Sequence, residues 1–265
     1  MVHPRGHLDP DGGTDYRWPM IRASAVARVL AVCLSLSAMT VMAAPAPGHT
    51  ATTVAVLYFD YAGQDLALTA LRKGLAQMLI SDLSALDTLR VVERERLQAV
   101  LEEQKLARSG KIDAGTAGRI GKLLGARYLV LGSYFDVMGA FRVDARLVDV
   151  ETGQVVKSVG ANGKADDFLG LEQTLAEGLR QAASSLPARN DAPATGGRPP
   201  ATGGDRRAAP RRPKQLKTEI ALAYGRALVA MDDGDRKTAQ SLFKRVLSAQ
   251  PDFELAQRDL DKLIQ

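Results

Sequence analysis

Thiols are almost missing from this sequence. The one cysteine, Cys33, sits in an apolar stretch near the start. Everything downstream of it is therefore without a disulfide, a thiolate metal site or a cysteine nucleophile. Histidine is nearly as scarce. His3 and His7 precede that stretch and His49 follows it closely, so the bulk of the chain lacks the usual general base and the commonest metal ligand. Aromatic residues make up 5% of the chain, and the single tryptophan, Trp18, is also near the start. The apolar stretch itself, 29–42, is shorter than the roughly 20 residues that span a bilayer, and small Ser, Thr and Cys residues interrupt it.

What is present is enough for a core, since 46% of the residues are hydrophobic. The net charge is +5, but it is unevenly placed: residues 188–217 carry a net +6 and residues 1–43 a net +1, which leaves about −2 for the rest. The basicity belongs to a linker and not to a folded face, so a nucleic-acid partner is not expected.

The first 43 residues read as leader and signal peptide. Residues 1–19 are polar and aperiodic, and Met20 is the expected start. Arg22 and Arg28 give a basic region, 29–42 the apolar one, and Val41-Met42-Ala43 small or tolerated residues before a cut between Ala43 and Ala44. An uncleaved anchor and a lipid-modified Cys33 fit less well, because the apolar run is short and continues past the cysteine. A short linker, 44–50, follows.

Residues 51–187 carry the patterns of one α+β domain, a mixed sheet with packed helices. Val54 to Phe59 is a buried-strand pattern. Leu68, Leu71, Leu75, Met78, Leu79 and Leu86 predict an amphipathic helix over 65–86. A second strand is expected over 88–93, then a charged helix closing near Gly110. A helix capped by Asp113 and stopped by Gly125 comes next, with Ile120, Leu123 and Leu124 turned inward. Residues 127–135 read as a central strand. Residues 141–150 alternate, with Phe141, Val143, Ala145 and Leu147 on one side and Arg142, Asp144 and Arg146 on the other. A hairpin at 151–154 returns along 155–161, and Phe168, Leu171, Leu175, Leu179, Ala182 and Leu186 predict a last helix capped from Asp166-Asp167.

Taken in order, several blocks resemble the curli-secretion (CsgG) family and, more widely, the N-terminal domain of TolB. They are the strand ending Phe59-Asp60, Leu71-Arg72-Lys73-Gly74-Leu75, Val91-Val92-Glu93-Arg94-Glu95-Arg96-Leu97, Gly121 through Ser133, and Arg146-Leu147-Val148-Asp149-Val150-Glu151-Thr152-Gly153. The resemblance implies a Gram-negative envelope location and a role in assembly or export across the outer membrane. Two departures stand out. The family's channel is lipidated at an N-terminal cysteine that has no counterpart here, and only 141–150 alternates for the 9–11 residues a transmembrane strand needs.

Other motifs have plain readings. Glu93-Arg94-Glu95-Arg96 reads as a solvated helix start with acids near the positive dipole end. Gly118, Gly121 and Gly125 lack the spacing and Lys-Ser/Thr ending of a phosphate loop and read as helix packing and a cap. No nucleophile–base–orienter set is visible.

Residues 188–217 are rich in Pro, Gly and Arg and read as a disordered linker. Residues 218–265 turn helical. Ala227, Gly234, Asp235, Ala239, Phe243 and Pro251 fall at the spacing of a tetratricopeptide (TPR) repeat, which the segment resembles. The first-helix aromatic is replaced by Ala223 and Ala230. One repeat cannot stand alone, so this helical hairpin with its capping helix must form a small bundle, dock on the main domain or self-associate.

The expectation is a non-enzymatic envelope protein, periplasmic or on the periplasmic face of the outer membrane. Its CsgG-like module would act in assembly or secretion, and its TPR-like appendage would bind protein. No catalytic, metal or cofactor residues are expected. Unidentified envelope proteins are the expected partners, with homo-oligomerisation and peripheral outer-membrane association left open. The alternatives are a protomer of an outer-membrane export channel and, more remotely, a carboxylate-based envelope enzyme, which would need paired acids in a cleft.

Overall fold

Strand β1 (Thr52–Val56) is a β-branched run whose Val54, Ala55 and Val56 are fully buried. It lies between two parallel neighbours, β3 (Leu89–Val91) and β4 (Tyr128–Val137). A computed structural model describes residues 51–106, 113–164, 167–186 and 213–265, all within one compact unit. The signal-cleavage residues Ala43 and Ala44, with Asp166 and 188–212 of the expected linker, lie outside the described residues.

The expected strand over 54–59 divides in two. Leu57, Tyr58 and Phe59 are buried. The Leu57 amide still donates to the Val130 carbonyl at 3.0 Å, Tyr58 and Phe59 then leave the ladder, and pairing resumes at β2 (Asp60–Tyr61) on β4. Val56 pairs with Val130 and Asp60 with Ser133. Four steps on one strand thus match three on the other, and the surplus residue breaks the pairing.

β4 pairs antiparallel with β5 (Ala140–Asp149), and β5 with β6 (Val155–Lys164). The sheet runs β3-β1-β4-β5-β6, with β2 on β4. This is the mixed α+β sheet that the sequence predicts, with 127–135 at its centre.

Helix α1 (Leu71–Leu83) buries Leu71, Leu75, Met78 and Leu79 as expected, and Ala76 and Ile80 as well. It is covered on two sides and is less amphipathic than its pattern implied. Residues 65–86 are not one helix, because Leu66–Ala70 is a 3-10 turn capped by Asp65. Leu66 there is exposed and gains nothing by joining the apolar face.

Helix α2 (Arg94–Glu103) stops before Gly110. Lys105 takes the left-handed conformation, and Leu106 donates to the Leu101 carbonyl at 2.7 Å. Helix α3 (Ala114–Leu124) begins at Asp113, which accepts from the Thr116 amide at 3.0 Å, and ends at left-handed Gly125. Ile120 and Leu124 are buried, but Leu123 is exposed, contrary to expectation. Helix α4 (Phe168–Ser184) is capped by Asp167 and packs on β5 and β6.

The two faces of the sheet differ. Val130, Tyr134, Val143, Ala145 and Leu147 are buried on the side of α1 and α4. Leu131, Ser133, Phe135, Arg142, Asp144 and Arg146 share the other side, where α3 reaches only the Leu129–Val150 end. The C-terminal part supplies α5 (Thr218–Asp232), α6 (Arg236–Ala249) and α7 (Glu254–Ile264). Helix α5 packs on α1 and on the 3-10 turn.

Candidate interaction surfaces

The first surface is the seam between the sheet domain and the C-terminal helices. Gly74 of α1 and Gly225 of α5 meet there. A side chain on Gly225 would strike the Ala70 carbonyl, and one on Gly74 would lie 3.5 Å from the Gly225 Cα. The missing side chain at Gly225 lets the two backbones touch, while a methyl on Gly74 would fit at ordinary contact distance.

Beside this crossing lies a buried charge cluster. Arg94 is 1% exposed, and its Nη1 donates to both carboxylate oxygens of Asp232 at 2.6 and 2.8 Å. Lys73 Nζ reaches the same carboxylate at 2.5 Å and sits 5.4 Å from the centre of the Tyr58 ring. Tyr58 donates to Gln98 at 2.8 Å, and Gln98 to Glu102 at 2.7 Å. Burial opposes the Arg94 charge, but Asp232 outweighs it and holds the guanidinium above its usual range. Glu93-Arg94-Glu95-Arg96 is therefore not simply a solvated helix start. Glu95 is committed too, to Lys262 of α7 at 3.1 Å. Burial pushes Glu95 up, but Lys262 and Arg94 draw it below the usual carboxylate range.

The residues singled out within 218–265 take separate places in this helical unit. Ala227, Ala239 and Phe243 are fully buried. Gly234 is left-handed after α5, Asp235 caps α6 by accepting from the Thr238 amide at 3.0 Å, and Pro251 follows α6. Sequence reasoning missed the aromatic centre. Tyr224 is fully buried, with ring centroids 6.0 Å from Phe243 and 5.0 Å from Phe253. Its hydroxyl donates to Asp259 at 2.6 Å, and burial raises both groups above their ordinary values. Packed structure starts ahead of α5, where Pro213 and Leu216 are buried.

The second surface is the barely covered side of β4, β5 and β6. At its α3 end is a cavity of about 200 Å³ lined by Leu57, Leu129, Leu131, Val148, Asp60 and Arg146, among others. Asp149, also on its wall, pairs with Arg127 at 2.7 Å, and Asp60 lies 3.4 Å from Arg72. Further along, Arg142 pairs with Asp144 at 2.5 Å. Phe135, Val137 and Met138 are exposed towards the β4–β5 turn, and Val155 and Val156 at the start of β6. Among the described residues there is no His, Cys, Asp and Glu group that could hold a metal, and no helix long and apolar enough to cross a membrane.

A mixed sheet with helices packed on it and a docked helical unit defines the class, an α+β protein. The family model of the curli production assembly/transport component CsgG matches residues 37–137, ending at the last residue of β4. No curated protein matches the chain. Among solved structures, the LpoB C-terminal domain from Salmonella enterica is 14% identical, with 43% of this chain and 82% of that one covered at a TM-score of 0.34. The lipoprotein GNA1162 from Neisseria meningitidis is 15% identical, with 51% and 99% covered at 0.37. TolB from Acinetobacter baumannii is 15% identical, with 52% and 29% covered at 0.31.

Proposed function

We propose that this chain is a non-enzymatic protein of the Gram-negative cell envelope. In this reading it is exported and works as an assembly- or secretion-associated contact module. The observation that carries the reading is the CsgG family match across 37–137, the stretch that holds β1 to β4 and helices α1 to α3. The expected signal peptide would supply the route out of the cytoplasm. Sheet and helical unit, joined through Arg94 and Asp232, would meet partners as one body. The export-channel reading has less support, because the apolar side of β5 lies against helices and is not free to face lipid.

The test is fractionation and capture from the native cell. A tagged full chain is expected in the periplasm or peripherally on the outer membrane, and to recover envelope proteins after crosslinking. An unprocessed chain in the cytosol, or capture that recovers no envelope protein, would overturn the reading.

A further inference from the structure

β6 ends the sheet, and among the described residues only β5 pairs with it. One side of this strand therefore presents a row of backbone N–H and C=O groups without a strand partner. Proteins usually blunt such an edge by shortness, charged side chains (lysine above all), proline, a bulge or a covering element. β6 carries two lysines, which deter a like-charged strand but not an acidic one. β6 is 10 residues long, as long as β4 and β5, and contains no proline. Its one register shift falls near its start, opposite Leu147 and Val148. The opposite edge, β3, has 3 residues and runs almost directly into α2.

The long edge is basic. Lys157 and Lys164 are exposed, and no carboxylate lies in 155–164. Arg146, across the ladder from Ser158, makes no ion pair among the described residues. Among the described residues, Asp144 pairs with Arg142, and Asp167 accepts from the Gly170 amide at 3.0 Å; Asp166 lies outside them.

We propose that the β6 edge accepts an added strand from an extended acidic segment of a partner protein. Main-chain hydrogen bonds would supply the register, and Lys157 and Lys164 on the edge strand itself the charge preference. A second copy fits worse, because full antiparallel overlap of two β6 strands would gather four lysines and no carboxylate. Residues 188–217 of this chain fit worse still, at a net +6. The inference stands on the edge alone and holds whether or not the partner belongs to the envelope.

The test is hydrogen exchange on the full chain at low salt, with alternating Glu-Val and Lys-Val ten-residue peptides as probes. The acidic peptide is expected to slow exchange within 155–164, and the basic one is not. The K157E/K164E variant, altered only at exposed positions, is expected to bind the acidic peptide about fivefold more weakly, in line with the small worth of exposed charge pairs, and to gain affinity for the basic one. Methylating alternate peptide amides in the hydrogen-bonding register is expected to abolish protection. Three results would overturn the proposal: no protection by the acidic peptide, equal protection by both peptides, or protection that rises with protein concentration alone.

Discussion

The two flanks of this sheet are finished in opposite ways. On the α1 side, the C-terminal helices close down with backbone contact at Gly74 and Gly225 and with a carboxylate, Asp232, shared by Arg94 and Lys73. On the β6 side, a strand of the same sheet ends without a second strand partner, and its exposed lysines make no ion pair among the described residues. Groups that cost much to separate mark a joint meant to stay shut. Solvated groups that cost little to cover mark a surface that can take and release a partner.

The contrast can be broken hardest at Asp232. Asp232→Ala leaves Arg94 buried without its partner carboxylate, and losses of this kind run to about 3–5 kcal/mol. Urea unfolding is expected to show that loss, with a much smaller one for the paired change Arg94→Met with Asp232→Leu. If the single and paired changes cost the same, the joint does not depend on the charge pair.

Gly225→Ala is next. Alanine in a helix interior normally gains about 1 kcal/mol over glycine. Here the added methyl strikes the Ala70 carbonyl, so the net effect is expected to be a loss of about 1–3 kcal/mol. A rise in melting temperature would show that α1 and α5 are not in backbone contact.

Glu172 sharpens the picture on the side of α4, which backs β5 and β6. It is fully buried, and burial pushes its carboxyl up to about 8. The folded protein holds a proton there that the unfolded chain gives up. Stability from this group is complete below the ordinary carboxylate range and is lost as pH rises towards 8. Glu172→Gln is expected to flatten the fall in stability between pH 5 and pH 8 by about 1–3 kcal/mol. Parallel pH profiles for the two proteins would contradict this.

The smallest effect is expected on the bare flank. Lys157→Ala is expected to change stability by no more than about 0.5 kcal/mol. A larger loss in the same urea assay would mean that the β6 edge is already in use within the fold.

Much of the sheet was legible because its signals are local. The alternation through β5 named its buried side correctly, and Asp113 and Gly125 bounded α3 as capping chemistry requires. What escaped depends on distant partners. Glu-Arg-Glu-Arg looks like a solvated helix start until Asp232 arrives from 138 residues away. Tyr224 was passed over because it stands beside the repeat's expected aromatic site, yet it is the ring around which Phe243 and Phe253 gather. The break at 57–59 reflects the register of β1 and β2 on β4, and Lys105 takes the left-handed stop that glycine would normally supply. Of the candidate surfaces, the helical unit was expected to form a small bundle, dock on the main domain or self-associate, and the seam shows it docked. The β6 edge was not foreseen, because a strand's place in the sheet order is not written in its own residues.

Native-state hydrogen exchange on the full chain, followed with rising urea, tests the joined-body account most directly. Amides of α5, Thr218–Asp232, are expected to lose protection together with those of α1, Leu71–Leu83, in one cooperative step. Loss of protection in 218–232 while 71–83 stays protected would show that the helical unit opens by itself and would contradict the account.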